Sequence, residues 1–172
     1  MIYDSLPYDE NRWFSPKYAI NYFWDILKDI GDIALKSDKY KKHREAWIMG
    51  VMLLGVMKGT QRIWWLQVPK EDPPDMMVMK IEKDEEKESN MFQCRKMEIM
   101  QVTKFTNDEI QNEIKRKLDK MYYEGKTGLV VYVNRDTGKL NLKELSDKIS
   151  AMDLRIADIW LLLSTSQSRK CQ

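Results

Sequence analysis

The sequence predicts an α/β fold, in which one domain holds a mixed central sheet of about five strands flanked by helices. Apolar residues recur at the helical period up to position 58, whereas short aromatic and β-branched runs dominate from position 62. After position 105, helical and strand-like segments alternate, which is typical of crossover connections within one sheet. The chain has 172 residues, of which 43% are hydrophobic and 33% are charged, so it can bury a sizeable core.

The first predicted helix is preceded by an arm. Residues 1–14 carry several aromatic side chains among polar ones, so we expect an N-terminal arm that packs onto the domain. Ser15 followed by Pro16 is typical of a helix start, because serine caps free N–H groups and proline suits the first turn. Apolar residues continue at helical spacing as far as Ala34, which predicts a helix over this stretch.

A second helix is predicted after a charged break. Residues 38–44 are mostly charged, so we expect a surface segment there, with His43, the only histidine of the chain, exposed in it. From about residue 44 to residue 58 the sequence is apolar almost all round. Such a helix should be buried on several sides.

Three adjacent strands follow this helix. Residues 62–68 form an aromatic and β-branched run that stops at Pro69, residues 75–82 form a second run after Pro73 and Pro74, and residues 94–105 form a third. The charged stretch at residues 83–90 has no large apolar side chain, which predicts a solvated hairpin loop. Strands with this spacing should pair antiparallel.

The last part of the sequence alternates between helices and strands. Thr106, with Glu109 three residues later, predicts a capped helix start. A strand, a short helix and a final apolar strand are then predicted at residues 127–135, 142–149 and 156–164. We therefore expect one domain over residues 15–164 and a polar C-terminal tail at residues 165–172.

Composition and local patterns argue against several classes of protein. The net charge of +2 gives no overall basic field that would attract nucleic acid, although a local basic groove is compatible with it. Cys94 and Cys171 match no metal-ligand spacing and indicate no disulfide scaffold. The longest apolar run, residues 46–57, is too short to span a membrane, and the first residues do not form a signal peptide. We expect a cytoplasmic protein with no membrane partner and no nucleotide cofactor.

Three acidic residues lie at the start or in the interior of predicted elements. Asp75 enters the second strand directly after two prolines, Glu98 lies inside the third strand, and Glu45 begins the second helix. This arrangement resembles the core of the PD-(D/E)XK nuclease superfamily, the restriction-endonuclease-like fold, over roughly residues 44–133. The resemblance implies an αβββαβ core in which Asp75 and Glu98 bind Mg²⁺, with Mn²⁺ as a substitute, and Glu45 assists. Carboxylate oxygens suit such a hard cation, which would activate the water that attacks a phosphodiester.

The sequence departs from the superfamily pattern at the motif lysine. The superfamily has a lysine two residues after the glutamate, on the same strand face, and Met100 occupies that position here. Lys96 and Lys104 share the strand face of Glu98, but one precedes it and the other lies near the end of the strand. Gln101 would reach the same face if a β-bulge preceded it. The catalytic role of the lysine is therefore open to Gln101, Lys96 or Lys104.

Each acid also has a purely structural interpretation. Asp75 can end a turn and begin an edge strand, Glu98 can form a structural salt bridge, and Glu45 can be a solvated acid favoured by the helix dipole. The helix after the third strand carries basic residues that can either contact a nucleic-acid backbone or pair with neighbouring acids. These residues are Lys115, Arg116, Lys117 and Lys120.

Two functions from different classes follow from this sequence. The first is a metal-dependent nucleic-acid phosphodiesterase, or an inactivated relative of one, which would dimerise if it cuts both strands. The second is a noncatalytic module on the same fold, which binds a protein or nucleic acid through methionine- and tryptophan-rich surfaces. Convergence of the Asp75 and Glu98 carboxylates favours the enzyme, whereas carboxylates that point apart favour the module.

Overall fold

The computed structural model describes residues 8–71, 73–84, 89–103, 109–120, 126–134, 140–152 and 155–164. The α-helices are α1 (Pro16–Ile30), α2 (Ile33–Lys36), α3 (Lys41–Thr60), α4 (Ile110–Lys120) and α5 (Leu142–Ser150). A short 3-10 helix, Asp38–Tyr40, precedes α3. The strands are β1 (Ile63–Gln67), β2 (Met76–Asp84), β3 (Ser89–Thr103), β4 (Gly128–Asn134) and β5 (Asp158–Leu163).

The strands form one mixed sheet in the order β1-β2-β3-β4-β5, which confirms the predicted fold class. β2 pairs antiparallel with both β1 and β3, as the hairpin spacing predicted, and β4 runs parallel to β5. Both hairpin strands reach further than predicted, because β2 extends to Asp84 and β3 begins at Ser89. Part of the predicted loop at residues 83–90 is therefore strand, and residues 85–88 lie outside the described residues.

The chain divides into two compact units, and the division falls within β3. The first unit is Met1–Ile99, and the second is Met100–Gln172. All three acids of the predicted metal site belong to the first unit. The prediction of one domain over residues 15–164 stays a prediction, and the tail at residues 165–172 lies outside the described residues.

The start of α1 confirms the predicted cap, but its end differs from the prediction. The Ser15 hydroxyl accepts a hydrogen bond from the backbone N–H of Tyr18, and Pro16 is the first helical residue. The helix ends at Ile30 because Gly31 adopts a positive φ of 65°, a conformation that glycine tolerates without strain. Ala34 therefore lies in the separate short helix α2 rather than in α1.

The charged break predicted at residues 38–44 is helical, which corrects the prediction for His43. α3 begins at Lys41, and its buried positions run without interruption from His43 to Ala46. The Arg44 guanidinium donates hydrogen bonds to the carbonyl oxygens of Ala34, at 3.0 Å, and Ser37, at 3.3 Å. These bonds anchor the first turns of α3 to the preceding segment, so His43 is buried and not exposed in a loop.

Close packing of α3 on α1 forms much of the first unit. Gly50 of α3 approaches α1 so closely that an added Cβ would lie 2.8 Å from the Pro16 carbonyl oxygen. Burial on several sides of α3 confirms the prediction made from its apolar composition. A neighbouring cluster of buried side chains comprises Phe23, Ile26, Ala34 and Tyr40.

The described part of the N-terminal arm is fixed to the first unit. Phe14 forms an isolated antiparallel bridge with Leu66 of β1, with N···O distances of 2.7 and 2.9 Å. Tyr8 is buried against the rings of Phe14, Tyr18 and Tyr22. The arm therefore packs as predicted from residue 8 onward.

The second unit has its own apolar core. Helices α4 and α5 and strands β3 and β4 contribute its buried side chains, which are Val102, Ile110, Ile114, Leu129, Val131, Val133 and Leu145. Thr106, the predicted cap of α4, lies outside the described residues. Among the helices described in either unit, none is both long and apolar enough to cross a membrane.

Candidate functional site

Asp75 is held against the neighbouring strand. Its side chain is 2% exposed, and Oδ2 accepts a hydrogen bond from the backbone N–H of Ile99 at 2.8 Å. Because Ile99 lies in β3, this bond fixes the Asp75 carboxylate beside the residue that follows Glu98. β2 lies between β1 and β3, so the interpretation in which Asp75 begins an edge strand is wrong.

Glu98 is buried in the central strand of the sheet. Its side chain is 1% exposed, although an ionised carboxylate without partners is costly to bury. Met76 of β2 pairs with Met97 of β3, so Asp75 and Glu98 are the next residues beyond this pair, one on each side of the β2-β3 ladder. Glu98 does interact with a neighbouring group, and its interpretation as a structural residue therefore stays open.

Glu45 is buried in α3, and the interpretation that makes it a solvated acid is wrong. The side chain is 3% exposed, because α3 begins before the predicted start and Glu45 lies beyond its first turn. Two lysines of the same helix lie beside it. The Nζ atom of Lys41 is 3.5 Å from Oε1, and the Nζ atom of Lys42 is 3.9 Å from Oε2.

The electrostatic environment of Glu45 connects it to Asp75. Burial raises the pKa of Glu45 to about 7, and the negative charge of Asp75 contributes to the increase. Lys41 and Lys42 act in the opposite direction and lower the pKa of Glu45. A carboxyl group with a pKa near neutrality, beside a second buried acid, is typical of functional sites.

The donor chemistry of these acids fits a divalent cation bound by few protein ligands. Across the described stretches, no group of three or more His, Cys, Asp and Glu side chains is arranged to hold a metal ion. Mg²⁺ commonly needs only one or two carboxylates, because waters and substrate phosphates complete its shell. Oε2 of Glu45 is buried and accepts no hydrogen bond from the described residues. A site built on two carboxylates, and not a three-carboxylate cage, is therefore compatible with the structure.

The position of the superfamily lysine contributes no charge to this region. Met100 packs against the apolar core of the second unit. Lys96 is exposed on β3, two residues before Glu98, and Gln101 is half-buried further along the same strand. Lys104 lies outside the described residues, and the β-bulge that would turn Gln101 stays a prediction.

The basic residues of α4 belong to the second unit. Lys115, Arg116 and Lys120 are exposed, and Lys117 is half-buried. Arg116 pairs with Glu113 one turn earlier, which agrees with the interpretation of this helix as a solvated, internally paired face. Its contact with nucleic acid stays a prediction.

Lys41 and Lys42 are residues of the site that the sequence reasoning missed. Their spacing to Glu45, four and three residues along one helix, is a signal that the sequence contains. Because residues 38–44 were predicted to form a charged break, this spacing was not interpreted as a contact. Side chains three or four residues apart are neighbours only within a helix.

No protein-family model, curated protein or solved structure matches this chain.

Proposed function

We propose that this chain is a metal-dependent nucleic-acid phosphodiesterase in which Asp75, Glu98 and Glu45 form the cation-binding region. The observation that carries the proposal is the burial of all three carboxylates in one compact unit. The negative charge of Asp75 raises the pKa of Glu45. The Asp75 carboxylate also accepts a hydrogen bond from the backbone N–H of Ile99, the residue after Glu98. Each buried charge costs free energy, and a bound cation would offset that cost.

The residues of the site have distinct roles in this proposal. Asp75 and Glu98 would hold Mg²⁺ or Mn²⁺, with Glu45 assisting. The bound ion would polarise the scissile phosphate and lower the pKa of the attacking water. The hydrogen bond from the Ile99 N–H keeps the Asp75 carboxylate in one orientation. Burial of the site removes competing water, which strengthens every charge interaction within it.

A nucleic-acid substrate agrees with the distribution of charge outside the site. Lys115 and Lys120 are exposed and can contact phosphates, with Arg116 and Lys117 beside them on α4. A few phosphate contacts would give binding that weakens steeply as salt concentration rises. Cleavage of both strands of a duplex would require two sites, which a homodimer provides.

The experiment that tests the proposal is a calorimetric titration of the purified chain with Mg²⁺ and Mn²⁺. Asp75→Asn and Glu98→Gln should each weaken binding by at least tenfold, because each removes the charge of a ligand with little change of shape. Asp25→Asn is the matched control, since Asp25 is an exposed acid in the same unit. Cleavage of single- and double-stranded DNA and RNA is then measured with the same variants.

For this enzyme, the calorimetric titration and the cleavage assay must agree on which acids are required. Cation binding and cleavage must both depend on Asp75 and Glu98 and must both survive in Asp25→Asn. A protein that binds neither cation in the presence of uncleavable oligonucleotide, and cleaves none of the four substrates, is not this enzyme.

A noncatalytic binding module is the second candidate, and two observations favour it. Met100 occupies the lysine position and packs into an apolar core. Ile63 and Phe92 are exposed, and both lie opposite Ile81 in the β1-β2-β3 ladder. Such an exposed apolar row is typical of protein contacts. Two results would support this function. The folded protein would bind neither cation, and Phe92→Ser would abolish its binding to a protein partner.

A further inference from the structure

Strand β5 forms one end of the sheet, and no described strand lies along its outer edge. The backbone N–H and C=O groups on such an edge can pair with another chain. At the other end of the strand order, Phe14 of the N-terminal arm pairs with Leu66 of β1. Within the described chain, β5 is therefore the end of the sheet that is left uncovered.

The sequence of β5 lacks the features that keep an exposed edge from pairing. Natural edge strands are interrupted by proline or a β-bulge, or they carry lysine. The strand Asp158–Leu163 reads DIWLLL, and its pairs with β4 follow one another in unbroken register. Trp160 and Leu163 are also exposed. A regular, apolar edge of this kind favours pairing with a second strand.

The pairing with β4 determines which backbone groups of β5 point outward. The N–H of Ser164 donates a hydrogen bond to the carbonyl oxygen of Val133 in β4 at 3.0 Å. Successive residues of a strand direct these groups to opposite edges, so Ile159, Leu161 and Leu163 direct theirs away from β4. Each of these residues can form a hydrogen-bonded pair with an antiparallel partner strand.

A second copy of β5 uses all of these groups when Leu161 lies on a two-fold axis perpendicular to the sheet. Leu161 then pairs with its own counterpart, and Ile159 pairs with the partner's Leu163, so every outward group has a partner. Between these pairs, Trp160 lies opposite the partner's Leu162, where side chains of an antiparallel ladder approach most closely. The edge is therefore complementary to itself.

The distribution of charge also favours a second copy as the partner. Asp158 is the only charged residue of β5, and it lies opposite the partner's Ser164 in this register, so no like charges meet. A self-complementary surface is what a two-fold interface requires. Because Phe14 pairs with β1 at the other end of the strand order, the pairing closes at two copies and does not extend into a fibre.

An apolar cavity beside β5 would gain cover from the same pairing. The cavity measures about 690 Å³, and Ile159, Leu161 and Leu163 of β5 line it together with residues of α5. Leu142 and Leu163 line it and are exposed, so it opens to solvent. The two-fold axis turns the same apolar residues of the partner strand to the same side of the sheet. They would extend the apolar wall and remove surface from water.

We propose that this protein forms a two-fold dimer in which the β5 strands of two copies pair antiparallel about Leu161 and join two sheets into one. The dimer goes beyond the proposed function and does not depend on it, because β5 belongs to the second unit and the buried acids to the first. A monomeric wild type that cleaves nucleic acid would reject only the dimer. A dimer that cleaves none would reject only the nuclease.

Sedimentation velocity of the full chain over about 1–100 μM measures the association. The wild type should reach twice the mass of one chain. Trp160→Lys places a charge opposite the partner's Leu162 and should weaken the dimer by about tenfold or more. Trp24→Lys is the matched control, because Trp24 is an exposed tryptophan of α1, and it should dimerise as the wild type does.

A proline on the outer edge provides a second test that does not depend on Trp160. Leu163→Pro removes an outward N–H, and the proline ring obstructs the partner strand. The bond from the Ser164 N–H to Val133 is kept, because it lies on the other edge. This variant should be monomeric with the circular dichroism spectrum of the wild type.

Disulfide cross-linking tests the register. Trp160→Cys and Leu162→Cys chains, each also carrying Cys94→Ser and Cys171→Ser, are mixed and oxidised. Because the two positions face each other across the axis, the mixture should form a covalent dimer about tenfold faster than either chain alone.

A wild type that stays monomeric at about 100 μM overturns the proposal, and so do assemblies larger than two chains. A dimer that survives both Trp160→Lys and Leu163→Pro, or that is equally weakened by Trp24→Lys, does not form through β5. Cross-linking that is no faster in the mixture than in the single chains rejects the pairing about Leu161.

Discussion

Two buried ionisable side chains lie two residues apart in α3, and their pKa values are shifted so that both neutral forms are favoured. Burial lowers the pKa of His43 to about 4. Burial, together with Asp75, raises the pKa of Glu45 to about 7. Between the unfolded and folded pKa values, the folded protein binds one proton more at Glu45 and one fewer at His43 than the unfolded chain. The two residues therefore change stability with pH in opposite senses.

Removal of the Glu45 charge should stabilise the protein more at pH 8 than at pH 5. The stabilisation from neutral Glu45 is complete below its unfolded pKa and is lost as the pH rises through about 7. Glu45→Gln keeps the neutral form at every pH. Its gain in the free energy of unfolding should therefore be larger at pH 8 than at pH 5 by roughly 2 kcal/mol. Urea denaturation at both pH values measures this, and a gain independent of pH would contradict the assigned pKa.

Replacement of His43 should have the opposite dependence on pH. The stabilisation from neutral His43 is complete above its unfolded pKa of 6.5 and is lost as the pH falls towards 4. His43→Phe keeps a ring that can stack on Tyr22, as His43 does, but cannot take up a proton. It should gain roughly 2 kcal/mol more stability at pH 5 than at pH 8. Because His43 is the only histidine, its imidazole signals in NMR titration should confirm a low pKa directly.

At the scale of the elements, two glycines of α3 should respond oppositely to alanine. A Cβ at Gly50 would lie 2.8 Å from the Pro16 carbonyl oxygen and 3.1 Å from Cγ1 of Ile20, so α1 and α3 would have to separate. Gly50→Ala should lose about 1–3 kcal/mol of stability. A Cβ at Gly55 meets no atom within 4 Å, so Gly55→Ala should gain up to about 1 kcal/mol from helix propensity. Thermal melts of both variants measure the difference, and equal shifts would contradict the close helix contact.

The elements that could be predicted from the sequence are those whose signal is local. The cap at Ser15, the hairpin strands and their antiparallel pairing each follow from neighbouring residues. The start of α3 does not, because Arg44 stabilises it by hydrogen bonds to the carbonyls of Ala34 and Ser37, earlier in the chain. The many charged residues at positions 38–44 predict a solvated loop. In the structure, however, Lys41 and Lys42 lie beside Glu45, and Arg44 bonds to backbone carbonyl oxygens.

The same distinction applies to the candidate site. Asp75 and Glu98 could be placed on neighbouring strands, because hairpin pairing fixes which residues meet. The effect of Asp75 on Glu45 acts between residues far apart in sequence, and no local pattern contains it.

At the scale of the whole molecule, a cation bound by the buried acids should stabilise the folded state against heat. A ligand that binds only the folded chain adds about 2.7 kcal/mol at one hundred times its dissociation constant, which raises Tm by about 2–4 °C for each kcal/mol in a chain of this size. The increase with Mg²⁺ should be larger at pH 8 than at pH 5.5, because Glu45 is ionised only above a pKa of about 7 and its negative charge would then assist Asp75 and Glu98 in binding the ion. NaCl of matched ionic strength controls for screening of surface charges. Asp75→Asn should lose most of the increase and Asp25→Asn should keep it. An increase that is unchanged in Asp75→Asn, or that is equal at the two pH values, would mean that Mg²⁺ binds elsewhere on the surface.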